Sequence, residues 1–159
     1  GRGTADVARE KYVLVICLER RDAVYEYARG VADGLGVKLY SLRTGPRALK
    51  KPRHVDKNLR NVSVYDYLRV VQGAEAVVTD SFHAMSFALI FNRNVTVVPR
   101  GDGGNSRMVD LLGELGLADR IVASSAVSDV GIDFDPVNQL LENKIEEAKG
   151  FLRASLAGP

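Results

Sequence analysis

The sequence predicts an α/β protein built on a mainly parallel sheet with helices on both faces. Short apolar runs alternate along the chain with longer segments that repeat apolar residues at helical spacing. The first run, residues 12–18, is continuously apolar and rich in β-branched residues. Such a run is typical of a parallel strand that is covered on both faces. Right-handed crossovers between parallel strands then place helices on both sides of the sheet.

The other elements follow in order along the chain. The remaining strands are short apolar runs, predicted at residues 37–41, 76–78 and 95–98. The helices have apolar residues at helical spacing between start and stop signals, and they are predicted at residues 22–34, 63–73, 82–91, 107–115 and 136–156. Pro136 suits the first turn of the last helix. Residues 120–122 are predicted as a short extended piece.

The segment of residues 42–61 shows no clear period and is predicted as a long loop. Loops of this length in a compact domain are usually functional or mobile. Basic residues cluster in it between Arg43 and Arg60. They either form a solvated surface or bind an anionic glycan or a lipid headgroup. Aromatic side chains that could stack on bases are missing from the run, so nucleic acid is not expected as a partner.

The composition fits a soluble globular domain. The chain has 159 residues, of which 46% are hydrophobic and 26% charged, and a formal net charge of +2. No apolar run is long enough to span a membrane and no signal peptide is visible, so a cytoplasmic setting is predicted. Cys17 is the only cysteine, which excludes a disulfide within the chain. One cysteine and two histidines are too few ligands for a His/Cys zinc site, and no metal or cofactor is predicted.

Polar loops follow three of the predicted strands. They comprise residues 19–21, 79–83 and 100–107. In open α/β sheets ligands bind beyond the carboxyl ends of the strands. We therefore expect these three loops to form one site.

The second of these loops opens an apolar helix. Asp80 or Ser81 is its N-cap, and His83 lies in the first turn, where free N–H groups favour an anion. His83 is either a general acid or base, or a core histidine bonded to a backbone carbonyl. Asp80 either orients the His83 ring or only caps the helix. Ser81 has no Gly-x-Ser-x-Gly context, so a hydrolase nucleophile is not expected.

The other two loops carry arginines. Arg100 and Arg107 enclose a glycine-rich loop whose N–H groups could approach a ligand, and each guanidinium can grip an anion bidentately. The alternative is a plain surface loop in which Ser106 caps the next helix. After the first strand, one of Arg20 and Arg21 is expected to face the cleft and the other the solvent.

Residues 77–92, VVTDSFHAMSFALIFN, resemble the polysaccharide pyruvyl transferase family. Its members carry a TD-(S/R)-F-H-(G/A) motif that leads into an apolar helix ending near F-N. Later segments match further motifs of the family in the same order: NSR at 105–107, LL at 111–112, LGLADR at 115–120 and IDFDPVN at 132–138. The resemblance covers about residues 12–155.

This resemblance implies a Rossmann-like domain similar to one half of a GT-B glycosyltransferase. Two such domains face each other across a cleft, and this chain resembles only the C-terminal one, which alone would be inactive. Family members transfer pyruvate from phosphoenolpyruvate to two hydroxyls of a sugar as a ketal. The implied partners are phosphoenolpyruvate, a sugar acceptor linked to a lipid or a nucleotide, and the chain's own N-terminal domain. The implied setting is the cytoplasm or the inner face of its membrane.

The resemblance also assigns roles to residues. The implied catalytic residues are His83 and Asp80. The implied substrate-binding residues are Arg20, Ser81, Arg100, Asn105 and Arg107. Ser81 stands where some members of the family carry arginine.

Two other functions and the domain limits complete the predictions. The chain could instead belong to a GT-B glycosyltransferase that uses a nucleotide sugar, or it could be a non-catalytic module that binds an anionic glycan. Residues 1–11 are predicted as a linker or an artificial end, 12–125 as the domain and 126–135 as a second linker. Residues 136–159 form a helix that packs back on the domain or toward the N-terminal one.

Overall fold

The computed structural model describes residues 10–19, 21–43, 51–101, 103–122 and 131–157. Its strands are β1 (Tyr12–Ile16), β2 (Lys38–Arg43), β3 (Lys57–Arg60), β4 (Ala76–Thr79) and β5 (Asn94–Val97). Its α-helices are α1 (Asp22–Gly34), α2 (Val64–Gln72), α3 (Phe82–Ile90), α4 (Ser106–Glu114) and α5 (Phe134–Ala157). A 3-10 turn, Ala118–Arg120, follows α4.

The strands form one parallel sheet in the order β3-β2-β1-β4-β5. β1 lies in the middle, and every one of its side chains is buried. Tyr12, Leu14 and Ile16 belong to the core on one face, whereas Val13 and Val15 belong to the core on the other. This double burial explains the continuous apolar run. The predicted Rossmann-like α/β class is confirmed.

The helices cover the two faces unequally. α1 packs on the face of Val13 and Val15, and it buries Val24, Tyr25, Ala28 and Ala32 there. The core on the opposite face takes buried side chains from each of α2, α3, α4 and α5. Met85 of α3 and Leu112 of α4 are among its largest fully buried members. The expectation of helices on both faces is therefore confirmed.

The prediction of a structureless loop over residues 42–61 is wrong. β2 runs on to Arg43, and Lys57–Arg60 form the edge strand β3, which pairs with it. The sequence conceals this strand because Leu59 is its only buried residue. Charged side chains at an edge strand also discourage pairing with another molecule. Residues 44–50 of the basic run lie outside the described residues.

The C-terminal helix begins two residues before the predicted Pro136. The carboxylate of Asp133 accepts a hydrogen bond from the N–H of Asp135 at 3.2 Å, just at the start of α5. Val137 is buried against the core, and Phe134 and Leu141 pack beside it. From residue 145 to residue 156 every side chain of α5 is exposed. Only the first turns of α5 therefore contact the sheet domain.

Candidate active site

The three polar loops leave adjacent strands. β1, β4 and β5 lie side by side, and the strand order reverses between β1 and β4. In parallel sheets such a reversal opens a crevice at the carboxyl edge, where ligands bind. The strand order thus confirms that the loops after β1, β4 and β5 begin at one edge of the sheet.

Asp80 connects the first two of these loops. Its carboxylate is 1% exposed and accepts hydrogen bonds from the backbone N–H groups of Leu18, at 2.7 Å, and Glu19, at 3.2 Å. It also lies 3.5 Å from the Arg21 guanidinium. Asp80 is therefore not the N-cap of α3, a position that Ser81 takes. The two N–H groups after β1 are therefore bonded to Asp80 and are not available to an anionic ligand.

Thr79 fixes the turn that carries the candidate residues. Its buried hydroxyl donates a hydrogen bond to the carbonyl of Ile16, at 2.7 Å, and accepts one from the N–H of Ser81, at 3.0 Å. The Ser81 side chain makes no capping hydrogen bond, although its carbonyl accepts from Met85 in the first helical turn. The turn is consequently tied to β1 as well as to its own helix.

Arg21 joins all three loops. Its guanidinium donates hydrogen bonds to the carbonyl of Pro99, at 2.6 Å, and to that of Val98, at 3.1 Å. The same group pairs with Asp80 and lies 3.7 Å from the carboxylate of Glu19. Arg21 therefore points to the sheet edge, and Arg20, the predicted substrate ligand, lies outside the described residues. Two adjacent arginines cannot be told apart by sequence, so its structural role was missed.

The loop after β5 is closed by Asn105. The side-chain oxygen of Asn105 accepts a hydrogen bond from the N–H of Arg100, at 2.8 Å, and its NH₂ group donates one to the carbonyl of Arg100, at 2.7 Å. Gly103 lies between them with a φ of 77°, a conformation that suits glycine. The alternative in which Ser106 caps the helix is wrong, because Asn105 holds the N-cap position.

His83 lies in the first turn of α3 and is exposed. A core histidine is therefore excluded. Its ring meets the neighbouring Phe82 edge-on, with the ring centroids 6.1 Å apart. The guanidinium of Arg107 lies over the same Phe82 ring, 5.1 Å from its centroid, which is a cation–π contact. The Phe82 ring therefore contacts both His83, its neighbour on α3, and Arg107 on α4, and the sequence did not indicate this role.

The helices that follow β1, β4 and β5 start differently from α2, which follows the edge strand β3. α1, α3 and α4 each begin without a side-chain capping bond. By contrast, α2 follows the edge strand β3 and is capped by Ser63, whose hydroxyl accepts from the N–H of Asp66 at 3.1 Å. Uncapped helix starts leave backbone N–H groups and a partial positive charge available. With Arg107 beside them, the starts of α3 and α4 form an electropositive edge suited to an anion.

Cys17, at the end of β1, is not a nucleophile at neutral pH. Burial and, to a smaller extent, the negative charge of Asp80 together raise the pKa of its thiol to about 12. The thiolate form that reacts is then scarce. In the part of the chain that the structure describes, no three His, Cys, Asp or Glu side chains are grouped as metal ligands would be. Nor does any helix among the described residues have the length and apolarity to cross a membrane.

Fold and site together define a Rossmann-like α/β domain with polar loops and uncapped helix starts at its carboxyl edge. The chain belongs to the polysaccharide pyruvyl transferase family, whose sequence profile matches residues 4–102. This range includes all five strands and the turn with Asp80 and His83, and it ends before Asn105 and Arg107.

No curated protein matches the chain significantly in sequence. One solved structure, of the ADP-heptose lipopolysaccharide heptosyltransferase II of E. coli, is similar over 91% of this chain, with 13% sequence identity and a TM-score of 0.43. The chain spans about half of that structure, 51% of its length.

Proposed function

We propose that this chain is the C-terminal domain of a transferase that moves pyruvate from phosphoenolpyruvate onto a sugar of a cell-surface polysaccharide or its precursor. Membership of the family supports the class of reaction. One structural observation carries the proposal. The helices α3 and α4 begin uncapped at the same sheet edge, and Arg107 and His83 both contact Phe82 there.

The substrate's chemistry suits this edge. Phosphoenolpyruvate is a small molecule that carries a phosphate and a carboxylate. In the proposed reaction a proton is added to its methylene carbon, and one sugar hydroxyl adds to the neighbouring carbon as it loses its own proton. A second hydroxyl then displaces the phosphate from that carbon, and its proton leaves with the phosphate. The products are a cyclic ketal and inorganic phosphate, and no redox partner is needed.

The proposed roles follow from the positions of the side chains. His83, exposed in the first turn of α3, supplies the proton for the methylene carbon. Arg100 and Arg107 hold the phosphate and the carboxylate, and the free N–H groups of α3 and α4 add to the positive field. The carboxylate of Asp80 is bonded to the loop after β1. Asp80 therefore contributes by holding in place the turn that carries His83.

The remaining substrate ligands are proposed from the family motifs. Arg20 and Ser81 are the proposed ligands, whereas Asn105, the other predicted member of the set, has both polar groups of its amide bonded to the backbone of Arg100. Arg20 lies outside the described residues, and its role is proposed from the family resemblance alone. Ser81 is almost fully buried at the start of α3, so a contact with the substrate would use its local backbone or a small part of its hydroxyl.

The rest of the enzyme is proposed to lie in a separate N-terminal domain. In this arrangement residues 12–125 form the Rossmann-like domain, 126–135 a linker, and 136–159 a helix that reaches toward the N-terminal domain. The exposed apolar side chains of α5 beyond residue 144 support this, because such a surface is usually covered. The acceptor sugar binds mainly to the other domain, so this chain alone is inactive. The proposed setting is the cytoplasm, at or near the inner face of the membrane.

The donor is tested by thermal stabilisation of the full-length protein. Phosphoenolpyruvate at a hundred times its dissociation constant should stabilise the folded state by about 2.7 kcal/mol. A panel of nucleotide sugars should give no comparable shift. Stabilisation by a nucleotide sugar alone would replace the proposal with a glycosyltransferase.

The role of His83 is tested with a matched pair of variants. His83→Asn should lower the rate of phosphate release by roughly 100-fold or more, the usual contribution of a general acid. His54→Asn is the control, because His54 is also exposed and its positive φ of 68° is tolerated by asparagine. Unchanged turnover in His83→Asn would remove the acid role.

A further inference from the structure

We propose that Asn105 is a positioning residue for Arg100 and does not itself bind the substrate. This inference rests on the proposed function, in which Arg100 holds an anionic group of phosphoenolpyruvate. In this role Asn105 is not a substrate ligand but a brace, by which we mean a side chain whose hydrogen bonds hold the backbone of the loop after β5 in place.

The Asn105 amide binds both polar backbone groups of Arg100. Its oxygen accepts from the N–H at 2.8 Å, and its NH₂ group donates to the carbonyl at 2.7 Å. A planar amide that makes both bonds fixes the distance and the orientation of the Arg100 backbone. The side chain of Arg100 then starts from a defined position.

A second brace holds the preceding peptide group. The carbonyl of Pro99, which belongs to the same peptide unit as the N–H of Arg100, accepts a hydrogen bond from the Arg21 guanidinium at 2.6 Å. The peptide units on both sides of the Arg100 Cα atom are therefore held by side chains. Glycines follow Arg100 at positions 101, 103 and 104, and glycine has more backbone freedom than any other residue.

The brace also connects the two cations. Asn105 is the N-cap of α4, and its carbonyl accepts from Met108 and Val109 at 3.0 Å in the first turn of that helix. Arg107 lies two residues further on the same helix. Asn105 therefore links the backbone of Arg100 to the rigid element that carries Arg107. Holding two charges in place before the ligand arrives lowers the entropic cost of binding.

A double-mutant cycle in the full-length protein tests this. The affinity for phosphoenolpyruvate is measured by titration calorimetry in wild type, Asn105→Ala, Arg100→Ala and the double variant. Asn105→Ala should weaken binding by roughly tenfold in the wild type, but by less than about twofold when Arg100 is already absent. Independent effects that multiply in the double variant would overturn the inference. Both a direct contact with the substrate and a general loss of stability predict such independence.

Control variants keep the cycle interpretable. Asn143→Ala makes the same change at an exposed position of α5 and should leave the affinity unchanged. If Asn105→Ala fails to fold, Asn105→Ser takes its place, because serine is a favoured residue at the N-cap position that Asn105 holds. The same non-additivity is expected, with a smaller single effect.

Failure of the donor and failure of the inference are distinguishable. If wild type binds no phosphoenolpyruvate, the proposed function has failed, and the cycle is repeated with inorganic phosphate as the probe. Non-additive losses with phosphate would still support the brace. Binding of neither anion to wild type would overturn it, because Arg100 would then have no anion to hold.

Discussion

Replacing the buried carboxylate of Asp80 should destabilise the domain strongly. Asp80→Ala removes the acceptor of two backbone N–H groups, on Leu18 and Glu19, that lie 2.7 and 3.2 Å away. A hydrogen bond to a charged group contributes about 1.5–3 kcal/mol, so we expect a loss of about 3–5 kcal/mol in the free energy of unfolding. We do not add a further loss for Arg21, the ionic partner of Asp80, because its guanidinium keeps hydrogen bonds to two carbonyl groups in the variant.

The assay is urea-induced unfolding of the chain followed by circular dichroism, since the sequence has no tryptophan. Asp80→Asn keeps one acceptor oxygen and should lose only about 2 kcal/mol. Asp110→Ala, at an exposed position of α4, is the matched control and should stay within about 0.5 kcal/mol of wild type. A loss below about 1 kcal/mol for Asp80→Ala would refute the reasoning, because it would mean that water satisfies both N–H groups.

Three further predictions concern neighbouring groups. Thr79→Val should cost about 2–3 kcal/mol, because the hydroxyl serves two backbone groups at a buried site. The same change at the half-buried Thr96 should cost less than about 0.5 kcal/mol in urea unfolding, and equal losses would contradict this. Because the pKa of Cys17 is raised to about 12, alkylation by iodoacetamide at pH 8 should be at least roughly 100-fold slower in the folded chain than in urea. Equal rates would show that the thiol is not shielded. The pKa of Asp56 is lowered, chiefly by the N–H of Leu39, so its stabilising contribution is present above the unfolded pKa of about 4 and is lost as the pH falls. Asp56→Asn should therefore be less stable than wild type at pH 7, by at most about 1 kcal/mol because the carboxylate is partly exposed to solvent. This difference should shrink as the pH falls below about 4, and a constant difference would count against the assignment.

Much of the fold is readable from the sequence because burial leaves a pattern. The continuous apolar run of β1 reports a strand covered on both faces, and the alternation of elements reports the parallel sheet. β3 could not be found in this way. An edge strand pairs with a single neighbouring strand and buries few side chains. In β3 only Leu59 is buried, and one apolar residue gives no alternating pattern that would predict a strand.

The site was predictable as a place but not as a set of contacts. The loops after β1, β4 and β5 meet because parallel strands share a carboxyl edge, and this follows from topology. The partners of Asp80 lie 61 and 62 residues away in the chain, and local pattern carries no information about such pairs. The sequence suggested that Asp80 either caps α3 or orients the ring of His83. Neither alternative includes the hydrogen bonds that Asp80 makes to the loop after β1.

The uncovered half of α5 has a consequence for its own helicity. Phe151 is 73% and Leu156 86% exposed, so residues 145–156 lack the packing that stabilises most helices in proteins. A helical segment of about this length is marginal in water without tertiary contacts. Amide hydrogen exchange in residues 145–156 should consequently be fast while this surface is bare and slow once it is covered. The exchange rate at the end of α5 would therefore report whether this surface is covered, without any assay of activity.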